Sequence, residues 1–262
     1  MSAVRVAKAL SAKLEVPAHL VSVVPTEADS VERYNQLRSL AQEHGLKDAE
    51  LSVRVAEPDE PSVAESDGPL MFMVRQNPEA LFCLSTHARS AIGDVLIGSV
   101  ASEVLRQAKR PVVLTGPQFS ADWQGPIETV MVCLDGSETA ESILAPAAEL
   151  AVQTGAHLML LQVINPHSGN AVLHADVSES GYLQSQAAEI RAKYHVSADW
   201  DVLHGASPAR AIAQYVASFP NAMVAMTTHG RTGLKKLGYG SVMRDLLHRV
   251  HCPVFVLQAD QA

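Results

Sequence analysis

A glycine-rich segment in the second half of the chain has the residue types and spacing of a loop that binds phosphate groups. It reads TTHG at 227–230, then nine residues (RTGLKKLGY), and then Gly240-Ser241. Backbone N–H groups can approach a ligand closely at the four glycines of this segment, Gly230, Gly233, Gly238 and Gly240. We predict that a helix follows, for which Ser241 can serve as N-cap and can also offer its hydroxyl to a phosphate oxygen. The free N–H groups and positive dipole end of that helix favour an anion. Positive side chains in the segment add to this, namely Arg231, Lys235 and Lys236.

An aspartate lies where a second part of such a site is expected. Asp135-Gly136-Ser137 directly follows the apolar run ETVMVCL at 128–134, which we predict as a strand. If that strand is the first of a doubly wound sheet, it lies near the point where strand order reverses and ligands bind. Asp135 and the glycine-rich segment would then face one crevice, with the carboxylate accepting from a ribose hydroxyl or a base amine. The spacing leaves open a plainer alternative, in which this segment is only a turn and Asp caps a helix.

Strands and helices alternate around these residues. The pattern predicts strands at 128–134, 157–164, 198–203, 222–227 and 253–257. It predicts helices at 138–154, with Gly155 after its end, and at 178–194, 207–219 and 241–250. Alternation of this kind indicates an α/β fold with parallel strands joined by right-handed crossovers. We therefore expect a doubly wound five-stranded sheet with strand order 3-2-1-4-5.

The first half of the chain repeats the second. With an offset of 142 residues, STHAR at 85–89 aligns with TTHGR at 227–231, and Gly98-Ser99 aligns with Gly240-Ser241. PVVL at 111–114 aligns with PVFV at 253–256. Several matches in the same order indicate an internal duplication. We predict a first domain at 1–117, a linker at 118–126 and a second domain at 127–262.

The first copy lacks a counterpart of the first strand and of Asp135. It opens in a helix, and its predicted elements lie at 3–14, 19–24, 30–44, 50–55, 70–76, 80–85, 99–109 and 111–115. Ser85 and Ala88 replace both leading glycines of the loop, so we expect a structural or docking role without nucleotide binding. Loss of a central strand would leave two neighbours without hydrogen-bond partners. Either the true start lies upstream or the sheet closes abnormally, and we favour an upstream start.

Composition excludes several classes of function. The net charge is −8, which disfavours nucleic acid and anionic membranes as partners, and no apolar run approaches the length of a membrane span. Three scattered cysteines (Cys83, Cys133 and Cys252) indicate buried apolar positions in a reducing, cytoplasmic compartment, not a metal or disulfide set. His87 and His229 occupy matching positions without further metal ligands nearby. No Ser-His-Asp order or GxSxG segment points to a catalytic nucleophile.

These motifs resemble the universal stress protein family in its tandem two-domain form. The resemblance is carried by Asp135-Gly136-Ser137, by THG-x9-GS at 228–241 and by the final PV strand. It implies ATP as ligand, with or without Mg²⁺, with Asp135 and Val163 flanking the adenosine. It also implies that Met226, His229 and Gly230 line the site and that Gly240, Ser241 and Val242 hold the phosphates. ATP-binding members carry Gly-x2-Gly-x9-Gly-Ser/Thr, and Thr227 replaces the leading glycine here.

The expected function is that of a cytoplasmic stress-response protein that binds ATP and acts through conformational or partner effects. Hydrolysis would be slow at most. The last strands of the two copies carry little charge and are expected to pair with each other, and a homodimer through edge strands is also expected. Two alternatives remain, a nucleotide-free scaffold and a nucleotide-dependent enzyme of a related α/β class. The enzymes would be expected to show His-x-x-His or Ser-Gly-Gly after the first strand, where this chain has CLDGS.

Overall fold

The computed structural model describes residues 2–55, 68–86, 97–165, 172–229 and 240–258. Helices within these ranges are α1 (Ser2–Leu14), α2 (Ser30–Glu43), α3 (Pro69–Gln76), α4 (Ser99–Gln107), α5 (Glu138–Glu141), α6 (Leu144–Thr154), α7 (Val172–Tyr194), α8 (Pro208–Val216) and α9 (Ser241–Leu247). Strands are β1 (His19–Val24), β2 (Glu50–Val55), β3 (Cys83–Ser85), β4 (Val112–Thr115), β5 (Thr129–Leu134), β6 (His157–Ile164), β7 (Ala198–His204), β8 (Ala222–Thr227) and β9 (Val254–Leu257). Strands and helices alternate, which confirms the α/β class.

The second copy has the predicted doubly wound sheet. Its strands lie in the order β9-β8-β5-β6-β7, which is 5-4-1-2-3 within the copy, and all neighbours are parallel. Helices cover both faces, as two neighbouring residues of β7 show. Trp200 donates its indole N–H to Ser180 of α7 at 3.4 Å, whereas Asp201 bonds to Tyr215 of α8. Successive side chains of a strand point to opposite faces, so α7 and α8 lie on opposite sides of the sheet.

The two copies share one seven-stranded sheet. β4 pairs antiparallel with β9, with Val113 opposite Phe255, and β3 extends the sheet beyond β4. This confirms the predicted pairing of the last strands. β4 and β9 therefore each have a strand on both sides, so neither is an edge. A homodimer would have to use other strands, and it remains a prediction.

The first copy does not form one sheet of its own. β1 and β2 form a separate two-stranded parallel sheet, while β3 and β4 join the sheet of the second copy. In the second copy, β5 bonds to both β6 and β8 and joins the two halves of the sheet. No counterpart of β5 is present among the described residues of the first copy, whose strands are divided between two sheets and do not form the single sheet that was expected.

The helix predicted over 138–154 is divided. α5 ends at Glu141 and α6 begins at Leu144, with a turn between them. Pro146 has no N–H to donate to the carbonyl of Ser142, so the helical ladder is interrupted at this point. The far end agrees with the prediction, because Gly155 closes α6 with a left-handed φ of 66°.

The segment after β4 packs against the end of α9. A β-carbon on Gly116 would lie 1.8 Å from the carbonyl oxygen of Leu247, so the backbones are in direct contact. Ser120 donates its N–H to the carbonyl of His251 at 2.9 Å, and Nδ1 of His251 lies 2.6 Å from the carbonyl oxygen of Gln118. These contacts join the segment between the copies to the helix that follows the glycine-rich loop.

Candidate functional site

The candidate site lies at the carboxyl edge of the second sheet, on both sides of β5. β5 pairs in parallel with β6 through Leu134 and Gln162, and with β8 on its other side. Continuing the first register by one residue places Asp135 beside Val163. The second register ends at Val132 opposite Ala225, and continuing it by three residues places Asp135 beside Thr228. Strand order reverses here, because β6 and β8 lead in opposite directions from β5. This is the position at which doubly wound sheets bind ligands.

The Asp135-Gly136-Ser137 segment is a tight turn that also caps a helix. Gly136 has a φ of 78°, in the region that favours glycine. The hydroxyl of Ser137 donates to Oδ1 of Asp135 at 2.6 Å, and the Ser137 N–H donates to the same oxygen at 3.1 Å. Ser137 Oγ in turn accepts the N–H of Ala140 at 3.2 Å, which makes Ser137 the N-cap of α5. The cap is thus Ser137, and not Asp135 as the turn alternative had it, and Asp135 is oriented by Ser137.

The end of β8 is buried and held by threonine hydroxyls. Met226, Thr227 and Thr228 are 7%, 5% and 1% exposed. Thr227, at the position of the leading glycine, donates its hydroxyl to the carbonyl of His229 at 2.6 Å. Nδ1 of His229 lies 3.1 Å from the Thr228 hydroxyl. The side chain of Thr227 therefore fixes the bend at which the chain leaves the strand.

The start of α9 is tied back to β8. Gly240 donates its N–H to the carbonyl of Thr228 at 2.9 Å, and a β-carbon at position 240 would lie 2.7 Å from that oxygen. The N-cap is Gly240 and not Ser241 as predicted, because Ser241 already has helical geometry as the first residue of α9. Ser241 is exposed and Val242 is half-buried against the core. Gly230 and Arg231, the other two predicted site residues, lie outside the described residues, as do Gly233, Lys235, Lys236 and Gly238.

The corresponding contact in the first copy is looser. A β-carbon on Gly98 would lie 3.8 Å from the carbonyl oxygen of Thr86, an ordinary van der Waals contact. At the carboxyl ends of β3 and β4, side-chain hydroxyl groups lie within hydrogen-bond distance of one another. Ser85 Oγ lies 2.9 Å from Ser2 Oγ and 3.1 Å from Thr115 Oγ1, so the first turn of α1 packs against the end of β3. The two copies thus differ at the position where the loop returns to its helix.

Two residues beside this site were not among the predicted site residues. Thr228 contributes the carbonyl that contacts Gly240, and its place in the TTHG motif could have indicated this. Gln162 is 4% exposed, and its Oε1 is buried with no hydrogen-bond partner within the described part of the chain. A polar residue inside the apolar run HLMLLQVI was the available signal. Its amide lies next to Val163, one of the predicted adenosine neighbours.

Neither a metal cluster nor a membrane helix is present in the described ranges. No group of three or more His, Cys, Asp or Glu side chains in those ranges could hold a metal ion. No helix there is long and apolar enough to cross a membrane.

One family model matches both copies. The model of the universal stress protein family matches residues 1–116 and again residues 126–258. A universal stress protein of Mycobacterium tuberculosis H37Rv is 29% identical over 202 residues, which cover 72% of this chain and 65% of that protein. This chain therefore spans less than two thirds of that relative's length. A universal stress protein of Synechocystis is 26% identical over 149 residues, covering 49% of this chain and 96% of that protein.

Two solved structures share the fold over nearly the whole chain. A functionally unknown protein from Pseudomonas aeruginosa PAO1 superposes with a TM-score of 0.59 at 17% identity, covering 98% of this chain and 87% of that one. A universal stress protein from Archaeoglobus fulgidus superposes with a TM-score of 0.58 at 19% identity, covering 97% and 93%. At these identities the similarity concerns the fold alone.

Proposed function

This chain belongs to the universal stress protein family, and from that premise we propose that it is a stress-response protein that binds ATP through its second copy. The nucleotide would lie at the carboxyl edge of the sheet, between the end of β5 and the start of α9. Signalling would follow from a change of conformation or of protein partner. The first copy would contribute structure and a docking surface.

The observation that carries this proposal is the close contact between Gly240 and Thr228. The Gly240 N–H donates to the Thr228 carbonyl at 2.9 Å, and a β-carbon at position 240 would lie 2.7 Å from that oxygen. The end of β8 and the start of α9 are therefore in direct contact. The ends of the glycine-rich segment are thereby held at the sheet edge, where its N–H groups can meet phosphate oxygens. The wider contact at Gly98 supports a restriction of binding to the second copy.

The adenosine would lie between Asp135 and Val163. One carboxylate oxygen of Asp135 is held by the Ser137 hydroxyl and N–H, which fixes the orientation of the group. A carboxylate oriented in this way would accept a hydrogen bond from a ribose hydroxyl. Met226, His229 and Gly230 would line the remainder of the site, and Gly240, Ser241 and Val242 would contact the phosphates.

The same proposal includes several finer expectations. ATP would bind with or without Mg²⁺, and hydrolysis would be slow at most. We expect a cytoplasmic protein that forms a homodimer and contacts further protein partners. Because β4 and β9 are paired inside the chain, a homodimer through strands would use β3, β7 or the two-stranded sheet.

Thr227 favours a second candidate function, a nucleotide-free scaffold. Its side chain occupies the position of the leading glycine, and its hydroxyl is bonded to the His229 carbonyl. A β-branched side chain leaves less room for phosphates than glycine does. If nucleotide does not bind, the preserved fold would serve protein contacts alone.

Calorimetric titration of ATP into the purified chain tests the proposal, together with analysis of nucleotide released on denaturation. The informative variant is Asp135→Asn, and Asp48→Asn is the control because Asp48 is exposed and lies in the first copy, outside the site. We expect Asp135→Asn to weaken ATP binding about tenfold or more, equivalent to about 1.4 kcal/mol, and Asp48→Asn to leave it unchanged. No released nucleotide and no binding heat would contradict the proposal and favour the scaffold.

A further inference from the structure

A cavity lies on the first copy, far along the chain from the glycine-rich loop. We name it the linker pocket; it has a volume of about 470 Å³ and lies between α1, the end of α2 and the linker at 123–126. α1 lines it with Arg5, Lys8 and Lys13, and α2 contributes Glu43. Three positive side chains therefore face one negative side chain, in a chain whose net charge is −8.

These positive charges are not neutralised by carboxylates. Among the described residues, none of the three cations is within ion-pair distance of an acidic side chain. Arg5 donates to the carbonyl of Ala121, which fixes its guanidinium beside the linker. Lys8 Nζ lies 3.6 Å from the β-carbon position of Gly45, just beyond the end of α2. The Ala121 carbonyl holds the Arg5 guanidinium in place but carries no formal charge to compensate it.

The wall of the linker pocket also contains buried ring nitrogens without hydrogen-bond partners. Trp123 is 5% exposed, and its indole Nε1 is buried without a partner in the described part of the chain. Nε2 of His44, in the same wall, is likewise buried without a partner there. An indole N–H can only donate, so Trp123 requires an acceptor that the described residues do not supply.

The shape of the pocket depends on a close approach of the linker to α1. Gly125 has a φ of 61°, and a β-carbon on it would lie 2.8 Å from Cβ of Ala9. The ring of Trp123 packs against the same position, with its nearest atom 3.4 Å from that β-carbon position. The linker is therefore held against α1, with Trp123 placed in the pocket wall.

We propose that the linker pocket binds a small organic polyanion that carries phosphate or carboxylate groups. Its oxygens would meet Arg5, Lys8 and Lys13, and after a small shift of the wall one oxygen would accept from the indole N–H of Trp123. Hydrogen bonds from Arg and Lys side chains to oxyanions are shorter and stronger than hydrogen bonds between neutral groups. A volume of about 470 Å³ is within the range of small-molecule sites. This proposal is independent of ATP binding at the second copy.

Fluorescence of Trp123 provides a local test. The chain has two tryptophans, so Trp200→Phe leaves Trp123 as the only one. Inorganic pyrophosphate and citrate are titrated separately into this variant, one as a phosphate probe and the other as a carboxylate probe. We expect a saturable change in Trp123 emission with at least one of them. Absence of a saturable change with both probes would overturn the proposal.

Matched charge variants separate specific binding from general attraction. Lys8→Gln/Lys13→Gln removes two charges from the pocket, and Lys47→Gln/Lys109→Gln removes two exposed charges elsewhere in the first copy. We expect the first pair to weaken binding about tenfold and the second to leave it unchanged. The proposal would be overturned if both double variants lost the same probe affinity, or if the Lys8→Gln/Lys13→Gln variant lost none. Loss of ATP binding alone would not affect this result.

Discussion

A β-carbon on Gly116 would lie 1.8 Å from the carbonyl oxygen of Leu247, at the end of α9. No side chain fits there without displacement of one backbone. We predict that Gly116→Ala lowers the free energy of unfolding by about 2–4 kcal/mol, in the range of severe overpacking. Urea denaturation of both proteins measures the difference.

The control for this substitution is Gly181→Ala. Gly181 lies inside α7, and nothing lies within 4 Å of its β-carbon position. Alanine there should stabilise the chain by about 0.5–1 kcal/mol, because glycine in a helix loses more backbone entropy on folding. Equal stability of Gly116→Ala and the unchanged chain would refute the close contact between the copies.

Two N-cap serines allow the role of Ser137 to be separated from helix capping. Ser137 caps α5 and also donates to Asp135, whereas the Ser207 hydroxyl caps α8 by accepting the N–H of Arg210 and makes no other bond within the described ranges. We predict that either alanine substitution costs about 1 kcal/mol of stability through loss of the cap. Only Ser137→Ala should also weaken ATP binding, because it releases the Asp135 carboxylate. Thermal melts and calorimetry measure the two effects, and an equal loss of ATP affinity in both variants would contradict this role.

The buried cysteines predict how thiol chemistry and stability depend on pH. Cys133 and Cys252 are 9% and 5% exposed, as predicted, whereas Cys83 is half-buried and not fully buried as expected. Burial raises the pKa of the Cys133 and Cys252 thiols from 9.0 to about 12. For Cys133 the nearby Cys252 adds to the rise in pKa. Both thiols should therefore be unreactive towards a disulfide reagent at mildly alkaline pH until the chain is unfolded in guanidinium.

The sign of the stability effect follows from the same pKa values. Between pH 9.0 and about 12 the folded chain retains thiol protons that the unfolded chain loses. The contribution of these thiols to the free energy of unfolding is therefore fully present below pH 9.0. It falls as the pH rises, by up to about 1.4 kcal/mol per pH unit for each thiol. Urea titrations of the unchanged chain and of Cys133→Ser measured across this range check it. If the free energy of unfolding falls with pH at the same rate in both proteins, the pKa of Cys133 is not raised.

Much of the fold could be predicted because hydrophobic periodicity and the internal repeat are local signals. The bounds of β1 (His19–Val24) and β2 (Glu50–Val55) agree with the prediction to the residue. The position of Asp135 at the carboxyl end of β5 also followed from the pattern. These features depend on short stretches of sequence, so periodicity and turn residues suffice to locate them.

Other features depend on contacts between distant segments and could not be predicted locally. The division of the first copy between two sheets depends on which strands pair with one another across long stretches of the chain. Gly240, the N-cap of α9, also lies close to the Thr228 carbonyl, a contact that no local pattern reports. The break before α6 was accessible from the sequence, because Pro146 lies inside the predicted helix.

The central claim is that the second copy alone binds ATP, and Gly240 and Gly98 give a matched pair to test it. A β-carbon would lie 2.7 Å from the Thr228 oxygen at position 240 but 3.8 Å from the Thr86 oxygen at position 98. Calorimetry should give one ATP per chain for the unchanged protein and for Gly98→Ala, and a loss of affinity of about tenfold or more for Gly240→Ala. Binding of two ATP molecules per chain, or weaker binding in Gly98→Ala than in Gly240→Ala, would contradict the claim.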